Sequence, residues 1–110
     1  MSEIAPVKVI RLSGELEIAR KDEIRQALFA PTDGTPVLLD LSEVTYADSI
    51  ALTELLRFCS ESQREGRPVA LLIQTPQFAR LIEYAGLATA FKVFSQYAEA
   101  LAYLTQGSQQ

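Results

Sequence analysis

The chain has 110 residues, of which 48% are hydrophobic and 22% are charged, and 14 acidic against 10 basic residues give it a formal net charge of −4. This composition is typical of one globular domain, and the acidic balance with scattered basic residues disfavours binding to nucleic acids. With no histidine, one cysteine and five isolated glycines, the chain lacks most zinc sites, histidine-assisted nucleophiles and glycine-rich phosphate loops, so we predict a protein that is not an enzyme and needs no cofactor or metal.

The first half of the chain is predicted to form two strands separated by one helix. Residues 7–12 alternate apolar and charged side chains, which indicates a strand with one face in water. The next residues, SGEL, are predicted to turn the chain into a helix over residues 17–28, which a loop over residues 30–36 follows. Residues 37–41, VLLDL, predict a strand buried on both faces, and residues 42–48 are predicted to form a loop.

The helix that follows Asp48 and Ser49 carries a strong apolar pattern at helical spacing. Its apolar stripe is predicted to face the core, with Glu54 among the polar residues on the other faces. Residues 64–68, REGRP, are predicted to end the helix, because glycine commonly stands just after a helix. The predicted stripe consists of Leu52, Leu55, Leu56 and Cys59.

A further strand and helix follow in the sequence. Residues 69–73 predict a second buried strand, and residues 91–94 a short one. Between them, Thr75 is predicted to cap a helix that has Pro76 at its first position and ends at Gly86. The predicted apolar face of that helix consists of Phe78, Leu81, Ile82 and Ala85, and the aromatic residues predicted to lie in the core are Tyr84, Phe91 and Phe94.

The last predicted element is a helix over residues 97–104, which a polar tail over residues 105–110 follows. Strands that alternate with helices of this length indicate βαβ crossovers and hence a largely parallel sheet covered by helices. The sequence therefore predicts an α/β fold in one domain over residues 1–110, with a core of about 7–104. We expect a mostly parallel or mixed sheet of four to five strands, flanked by about four helices.

The sequence shows neither a membrane-spanning segment nor a targeting signal. No apolar run approaches the ~20 residues that a bilayer requires. The first residues, MSEIAPVKV, lack the basic start and the long apolar stretch of a secretory signal, and a single cysteine allows no internal disulfide. We therefore expect a cytoplasmic protein that does not insert into a membrane.

The pair Asp48–Ser49 stands directly before the long helix and has two interpretations. In the first it is a structural cap, because side-chain oxygens of Asp and Ser accept hydrogen bonds from the free amides of a first helical turn, worth about 1 kcal/mol. In the second, Ser49 is exposed and another protein phosphorylates it. The phosphoryl group would add roughly −1.5 to −2 charges beside Asp48 and would face the positive end of the helix dipole. Pattern alone favours the cap and leaves the second interpretation open.

Three separated segments resemble the STAS domain family, whose name derives from sulfate transporters and anti-sigma-factor antagonists. They are LSGELE, which opens the first helix, VLLDLSEVTYADSIAL, which leads into the long helix, and TPQFARLIEYAGLATAFKVF near the end. The resemblance runs from about Val7 to Leu104 and keeps the order of the segments. It implies a β-sheet core of mixed strand direction flanked by helices, in agreement with the fold predicted from the residues.

The resemblance also implies a regulatory site. Free-standing members carry Asp-Ser-(Ser/Thr)-Gly-Leu with a regulatory phosphoserine, and this chain has Asp-Ser-Ile-Ala-Leu over residues 48–52, which places Ser49 at the modified position. The family segment Gly-Glu-Leu-Asp, which helps to meet the partner, corresponds to residues 14–17, GELE. Such members bind an anti-sigma factor that is also a serine kinase, release it when phosphorylated, and are reset by a phosphatase. The residues expected to meet the partner are Glu15, Glu17, Tyr46, Asp48, Ser49, Ile50 and Ala51.

The residues after Ser49 leave a second function open. Ile50 replaces a small hydroxyl residue and Ala51 replaces glycine, so this helix start is bulkier and more apolar than in the phosphorylated members. STAS domains also occur as small cytoplasmic subunits of membrane transporters, including lipid-exporting ABC systems, where the same helix start docks on the ATPase and need not be phosphorylated. A third class, an enzyme that uses Asp48 with Ser49, is disfavoured because no residue suited to activating the serine is present.

Three further candidates have simpler explanations. Cys59 lies on the apolar stripe of the long helix, which favours a buried structural thiol over a redox switch. Tyr46 is equally compatible with an interface anchor and with a shield over its loop. Asp40 and Asp48 resemble a carboxylate pair for Mg²⁺, but a suitably placed lysine and a further acidic neighbour are missing, which disfavours a metal site.

Overall fold

The computed structural model describes residues 6–29 and 34–106, so the predicted loop over residues 30–36 and the predicted tail lie partly outside the described residues. In these two segments four β-strands alternate with four α-helices, and a short 3₁₀-helix precedes the first of these helices. The strands are β1 (Lys8–Leu16), β2 (Val37–Ala47), β3 (Val69–Leu72) and β4 (Val93–Phe94). The helices are the 3₁₀-helix (Ile18–Arg20), α1 (Lys21–Leu28), α2 (Ser49–Arg64), α3 (Pro76–Tyr84) and α4 (Tyr97–Gln106).

The four described strands form one parallel sheet in the order β1-β2-β3-β4. All carboxyl ends of the strands therefore lie at one edge of the sheet and all amino ends at the opposite edge, here named the carboxyl edge and the amino edge. The predicted α/β fold is confirmed, and within the described residues the sheet is parallel throughout.

Helices cover both faces of the sheet. α1, α2 and α3 pack over a main core on one face, and α4 packs over a smaller core on the other. β2 contributes to both, since Leu39 and Leu41 belong to the main core and Leu38 belongs to the smaller one. β3 does the same through Leu71 and Leu72. Burial on both faces explains why these two strands are almost continuously apolar, as predicted.

β1 and β2 are both longer than predicted. β1 continues through SGEL to Leu16, and β2 continues through the predicted loop to Ala47. Their pairing register shifts at two places within residues 11–15 of β1. These irregularities interrupt the alternation of buried and exposed side chains by which a strand is recognised in a sequence. The predicted turn at SGEL and the predicted loop over residues 42–48 were therefore wrong.

The predicted helix over residues 17–28 is divided in two. The 3₁₀-helix occupies its first turn, and α1 begins only at Lys21. The break falls at Arg20, whose φ of −104° and ψ of 14° lie outside α-helical values. α1 then buries Ile24 and Leu28 in the main core.

α2 begins directly after Asp48 as predicted, but its buried face is rotated from the predicted stripe. Leu55 is fully buried, whereas Leu56, assigned to the same stripe, is 36% exposed. Adjacent residues of an α-helix point about 100° apart, so both leucines cannot face the centre of the core. Phe58 takes the place of Leu56 in the core, and Glu54, predicted to face water, is buried beside it on the same face.

α3 begins at Pro76 as predicted, but the side chain of Thr75 does not cap it. The Thr75 hydroxyl donates instead to the carbonyl of Val44 in β2. This bond ties the start of α3 to the carboxyl edge of the sheet, across a gap in sequence that helix-cap statistics do not consider.

Two residues predicted to be buried at the end of α3 are exposed. Tyr84 is 83% exposed, and Ala85 follows it at the end of the helix, because both lie beyond the last buried position at Ile82. Phe91 is buried as predicted. Phe94 is half-buried, with its ring 5.5 Å from that of Tyr103.

Candidate functional site

The candidate site lies at the carboxyl edge, where β1 and β2 end side by side. Leu16 pairs with Ala47 at the two strand ends, and the amide of Asp48 donates to the carbonyl of Leu16 at 3.0 Å. From there β1 leads into the 3₁₀-helix and β2 leads into α2. The two sequence segments GELE and DS, far apart in the chain, are thus neighbours in space.

The carboxylate of Asp48 joins these two segments. Its Oδ1 accepts a hydrogen bond from the amide of Ala51 at 2.9 Å and so caps the first turn of α2. Its Oδ2 accepts a hydrogen bond from the amide of Ile18, also at 2.9 Å, at the start of the 3₁₀-helix. One side chain therefore satisfies amides at the starts of two helices. The structural-cap interpretation is confirmed for Asp48.

Ser49 is the first residue of α2, and the cap does not depend on it. Its side chain is exposed, and among the described residues none forms a hydrogen bond with its hydroxyl. Its backbone carbonyl accepts a hydrogen bond from the hydroxyl of Thr53 within the helix. Another molecule can therefore reach the hydroxyl of Ser49 without displacing a contact of the described chain.

Glu15 and Glu17, two of the three acidic residues predicted to meet the partner, both lie exposed beside this helix start. Glu15 pairs in register with Tyr46, two residues before Asp48, while Glu17 immediately precedes the 3₁₀-helix. The structure thus brings the acidic side chains of the GELE segment to the same edge as Ser49.

Arg20 holds the irregular end of β1 in place. Its Nη1 donates to the carbonyls of Ser13 at 2.7 Å and Glu15 at 3.0 Å, while its Nε and Nη2 bind the carboxylate of Glu23. Gly14 lies between these two residues and has a φ of +78°, a backbone conformation that residues other than glycine rarely adopt. The sequence did not identify Arg20. Its contacts are with the last part of β1, and the sequence pattern predicted that this strand ends at residue 12.

Large apolar side chains are exposed around the same edge. Ile18 is 59% exposed and Tyr46 is 45% exposed. Tyr46 also forms one wall of a shallow groove of about 260 Å³ that continues toward α3, with Tyr84, Leu81 and Arg80 among its other lining residues. Exposed tyrosine and arginine side chains of this kind are common in protein interfaces.

Ile50 and Ala51, the two residues at which this chain departs from the phosphorylated family motif, have different environments. Ile50 is half-buried, so part of its side chain belongs to the surface beside Ser49. Ala51 is only 1% exposed and packs in the main core. The prediction that the Ala51 side chain meets a partner is therefore corrected, because the first turn of α2 points it inward.

Asp40 does not share a site with Asp48. Burial would raise the pKa of Asp40, but hydrogen bonds from the hydroxyl and amide of Ser42, together with Arg11, outweigh it and hold the pKa below its usual value. The oxygens of Asp48 are occupied by the two amides of the helix starts. Each carboxylate thus has separate partners, and in the described part of the chain no group of three potential metal ligands is found.

Comparison with known proteins identifies the family of the chain. The family model of the STAS domain matches residues 1–100. The chain belongs to the STAS domain family. The match includes both segments that meet at Asp48 and extends through α3 into α4.

Solved structures share the fold of this STAS domain. An anti-sigma factor antagonist from Mycobacterium paratuberculosis is 23% identical, with a TM-score of 0.80 and coverage of 94% of this chain and 89% of that one. A sulfate transporter family protein from Wolinella succinogenes is 20% identical, with a TM-score of 0.77 and coverage of 98% and 93%. The murine solute carrier 26 family member A9 anion transporter is 23% identical, with a TM-score of 0.80, and the similarity covers 96% of this chain but 18% of the transporter. At these identities the similarity shows the fold alone.

The STAS domain also contains a buried charge that the sequence did not reveal. Glu54 of α2 is buried at its contact with α1, where Arg25 Nε lies 3.6 Å from Glu54 Oε1. Within the described residues Glu54 Oε1 forms no hydrogen bond, so this ion pair is loose. The helical pattern of α2 predicts that Glu54 faces solvent. Only the way α2 packs against α1 shows that Glu54 is buried.

Cys59 of the STAS domain is a half-buried thiol. Burial raises its pKa to about 12. The thiolate is the reactive form of cysteine, so this environment suppresses its reactivity near neutral pH. The structure therefore agrees with a structural role rather than a redox switch.

In the part of the chain that the structure describes, no helix combines the length and the apolar composition of a membrane span.

Proposed function

We propose that this STAS domain is a cytoplasmic anti-sigma-factor antagonist that acts by binding rather than by catalysis. Its partner is an anti-sigma factor that is also a serine kinase. The unmodified domain binds this partner, phosphorylation of Ser49 releases it, and a phosphatase restores binding. The observation that carries the proposal is the exposed hydroxyl of Ser49 at the start of α2, which forms no hydrogen bond with the described residues and lies near the exposed Glu15 and Glu17 of the GELE segment.

The contacts of Asp48 explain how a phosphoryl group on Ser49 would act as a switch and not as a denaturant. The cap of α2 and the link to the 3₁₀-helix both depend on Asp48, so neither is lost when Ser49 is modified. The phosphoryl group would sit at the positive end of the α2 dipole, which favours negative charge. The fold therefore tolerates the modification, while the surface that meets the partner gains roughly −1.5 to −2 charges.

The surface around Ser49 also suggests what the partner offers in return. Glu15 and Glu17 contribute exposed negative charge, while Tyr46 and Ile50 contribute exposed or half-buried apolar area. A complementary partner therefore presents basic side chains around an apolar centre. The apolar centre of such a partner would lie against Ser49 and Ile50, so negative charge added at Ser49 would be buried there without a basic group beside it, which is costly.

The test of phosphorylation uses the full chain and the kinase encoded beside it. The chain is incubated with that kinase and ATP, and its intact mass is measured over time. We expect wild type to gain one phosphoryl group, Ser49→Ala to gain none, and Ser95→Ala, which removes another exposed serine, to behave as wild type. If wild type gains no phosphate, or if Ser49→Ala gains as much as wild type, Ser49 is not the acceptor.

The charge switch is tested by binding. Ser49→Asp places a carboxylate where the phosphoryl group would be, and we expect it to weaken kinase binding by about 10-fold or more, with the melting temperature little changed. Ser49→Asn, which is similar in size and uncharged, is the matched control and should bind nearly as wild type. Equal affinity of Ser49→Asp and wild type in a calorimetric titration would remove the charge switch from the proposal.

One observation favours a second candidate function, a subunit that docks on the ATPase of a membrane transporter, such as a lipid-exporting ABC system, without phosphorylation. Ile50 adds apolar surface beside Ser49 where phosphorylated members of the family have a small hydroxyl residue. Such a surface suits a permanent interface better than the approach of a kinase and its nucleotide. Neighbouring genes for an ABC ATPase and a permease, together with co-purification of the ATPase that is insensitive to Ser49→Ala, would favour this function.

A further inference from the structure

A second cavity lies at the amino edge of the sheet, at the opposite end of α2 from Ser49. It has a volume of about 490 Å³, a size common for small-molecule sites. Its walls are the second half of α2, the residues that lead into β3 and β4, and Tyr103 of α4. The 16 residues of α2 put its two ends roughly 24 Å apart, so this cavity is separate from the Ser49 surface.

The charged side chains that line the cavity are positive, whereas the net charge of the protein is negative. The chain carries a net charge of −4, yet the described residues that line the cavity include two cations, Arg67 and Lys92, and no carboxylate. Glu65 lies 3.8 Å from Arg67 Nη2, but its side chain is 64% exposed, so solvent screens this pair. The cavity is therefore locally positive.

Arg67 is the residue that makes this cavity unusual. It is only 9% exposed, and its guanidinium lies over the ring of Phe58 at 5.4 Å from the centroid. Its Nε and Nη2 donate to the hydroxyl of Ser62 at 3.2 and 2.8 Å. These contacts hold the guanidinium in one orientation, which reduces the entropy that a ligand would otherwise lose on binding.

The contacts of Arg67 leave donors unused. Of its three nitrogens, Nη1 has no hydrogen-bond acceptor among the described residues, and it is not one of the fully buried atoms without a partner, so it is open to solvent. The backbone carbonyls at the carboxyl end of α2 do not bind Nη1. Those of Gln63 and Ser62 already accept hydrogen bonds from the amides of Gly66 and Arg67. The free donors of Nη1 are thus available to a group inside the cavity.

The remaining walls define the rest of the ligand. Phe91 is buried and supplies an apolar surface, and the half-buried ring of Tyr103 and the side chain of Leu56 add to it. Two polar side chains, those of Ser60 and Thr89, also line the cavity. Apolar surface with a few convergent polar groups is the usual composition of a small-molecule site.

We propose that this cavity binds a small organic anion. Its carboxylate or phosphate group contacts Arg67 and Lys92, and its flat apolar part lies against Phe91 and Tyr103. Arginine binds such oxyanions through paired hydrogen bonds, which distinguishes them from neutral molecules of the same shape. The site is independent of the phosphorylation of Ser49 and would stand if the proposed partner proved wrong.

The experiment is an NMR titration of the full ¹⁵N-labelled chain with four probes. Phenyl phosphate and benzoate carry the two anionic groups, benzyl alcohol is a neutral molecule of similar shape, and inorganic phosphate is the anion without the apolar part. We expect both organic anions to shift the amides of Gly66 and Lys92, and benzyl alcohol to bind at least about 10-fold more weakly. Inorganic phosphate should also bind more weakly than phenyl phosphate.

Charge variants locate the binding. Lys92→Gln should weaken phenyl phosphate by about 3- to 10-fold, whereas Arg57→Gln, which removes an exposed cation of α2 outside the cavity, should leave it unchanged. Arg67→Lys keeps the charge but loses the paired donors, and we expect it to lose discrimination between phenyl phosphate and benzyl alcohol.

Three results would overturn the proposal. They are the absence of shifts at the cavity amides of wild type at millimolar probe, equal affinity for benzyl alcohol and the anions, and equal effects of Lys92→Gln and Arg57→Gln. Binding of inorganic phosphate as tight as that of phenyl phosphate would overturn the assignment of the apolar part to Phe91 and Tyr103.

Discussion

The two ends of α2 are held in opposite ways. At the carboxyl edge, Asp48 holds the helix start, while Ser49 beside it makes no side-chain hydrogen bond with the described residues. At the amino edge, Arg67 both holds the helix end through Ser62 and lines the cavity. At the start of α2, one residue, Asp48, holds the helix and a second, Ser49, is accessible. At its end, Arg67 has both roles.

This difference decides which end suits which kind of function. A group that carries no structural contact can be modified covalently without changing the fold, which is what a reversible switch requires. A group that is already fixed by the fold is preorganised for a ligand, but it cannot be altered without cost. The start of α2 therefore suits regulation by modification, and its end suits reversible recognition.

The largest expected effect comes from the core that both ends share. Leu55 is fully buried in the middle of α2, so Leu55→Ala should lower the free energy of unfolding by ~2–5 kcal/mol, as measured by urea denaturation. Leu56→Ala is the matched control on the neighbouring position and should cost less than about 1 kcal/mol, because Leu56 is partly exposed. Equal costs for the two variants would show that the orientation of α2 is different from the one described.

The next effect separates the anchor from the exposed residue at the start of α2. Asp48→Ala removes both the cap of α2 and the acceptor of the Ile18 amide, so we expect a loss of about 1–3 kcal/mol in the free energy of unfolding. Ser49→Ala should change stability by no more than about 0.5 kcal/mol. A larger loss for Ser49→Ala than for Asp48→Ala would reverse the assignment of the two roles.

The smallest effect leaves stability at neutral pH unchanged and concerns reactivity near the amino edge. Cys59 lines the cavity, and burial raises the pKa of its thiol from 9.0 to about 12. The folded chain thus holds this proton more tightly than the unfolded chain, so its contribution to stability is complete below pH 9 and is lost as the pH rises toward 12.

Reaction with iodoacetamide at pH 8 measures the same property. We expect the thiol of the native chain to react at least about 100-fold more slowly than in urea, because both its ionisation and its access are reduced. The reaction is followed by intact mass, and the single cysteine makes the result unambiguous. Similar rates in buffer and in urea would mean that Cys59 is open to solvent through the cavity.

The sequence predicted the arrangement of the fold better than the limits of its elements. The apolar runs of β2 and β3 and the helix after Asp48 are strong local signals, and together they determined a parallel α/β sheet. The ends of β1 and β2 were missed because two register shifts near Gly14 break the two-residue alternation. Tyr84 was misplaced because an aromatic residue at helical spacing reads as core, and only the length of α3 shows that it lies beyond it.

The candidate site was predicted only in part, because local sequence signals reveal some of its residues and not the contacts between them. Local sequence marks Asp48 and Ser49 as a helix start, and the resemblance of the chain to its family added the GELE segment. The hydrogen bond from Ile18 to Asp48 and the contact of the buried Glu54 with Arg25 join residues distant in sequence. The bonds from Arg20 to the carbonyls of Ser13 and Glu15 are closer in sequence but depend on the irregular end of β1. Such contacts have no periodic signature, so they emerge only when the elements are assembled.

The double use of Asp48 limits which side chain can stand at that position. Aspartate and asparagine are about equally good helix caps, because an ordinary cap needs one accepting oxygen. Here two amides approach the two oxygens of one carboxylate, and asparagine would turn an NH₂ group toward one of them. Two donors would then face each other, so within this family a natural replacement of aspartate by asparagine should be accompanied by a rearranged exit from β1.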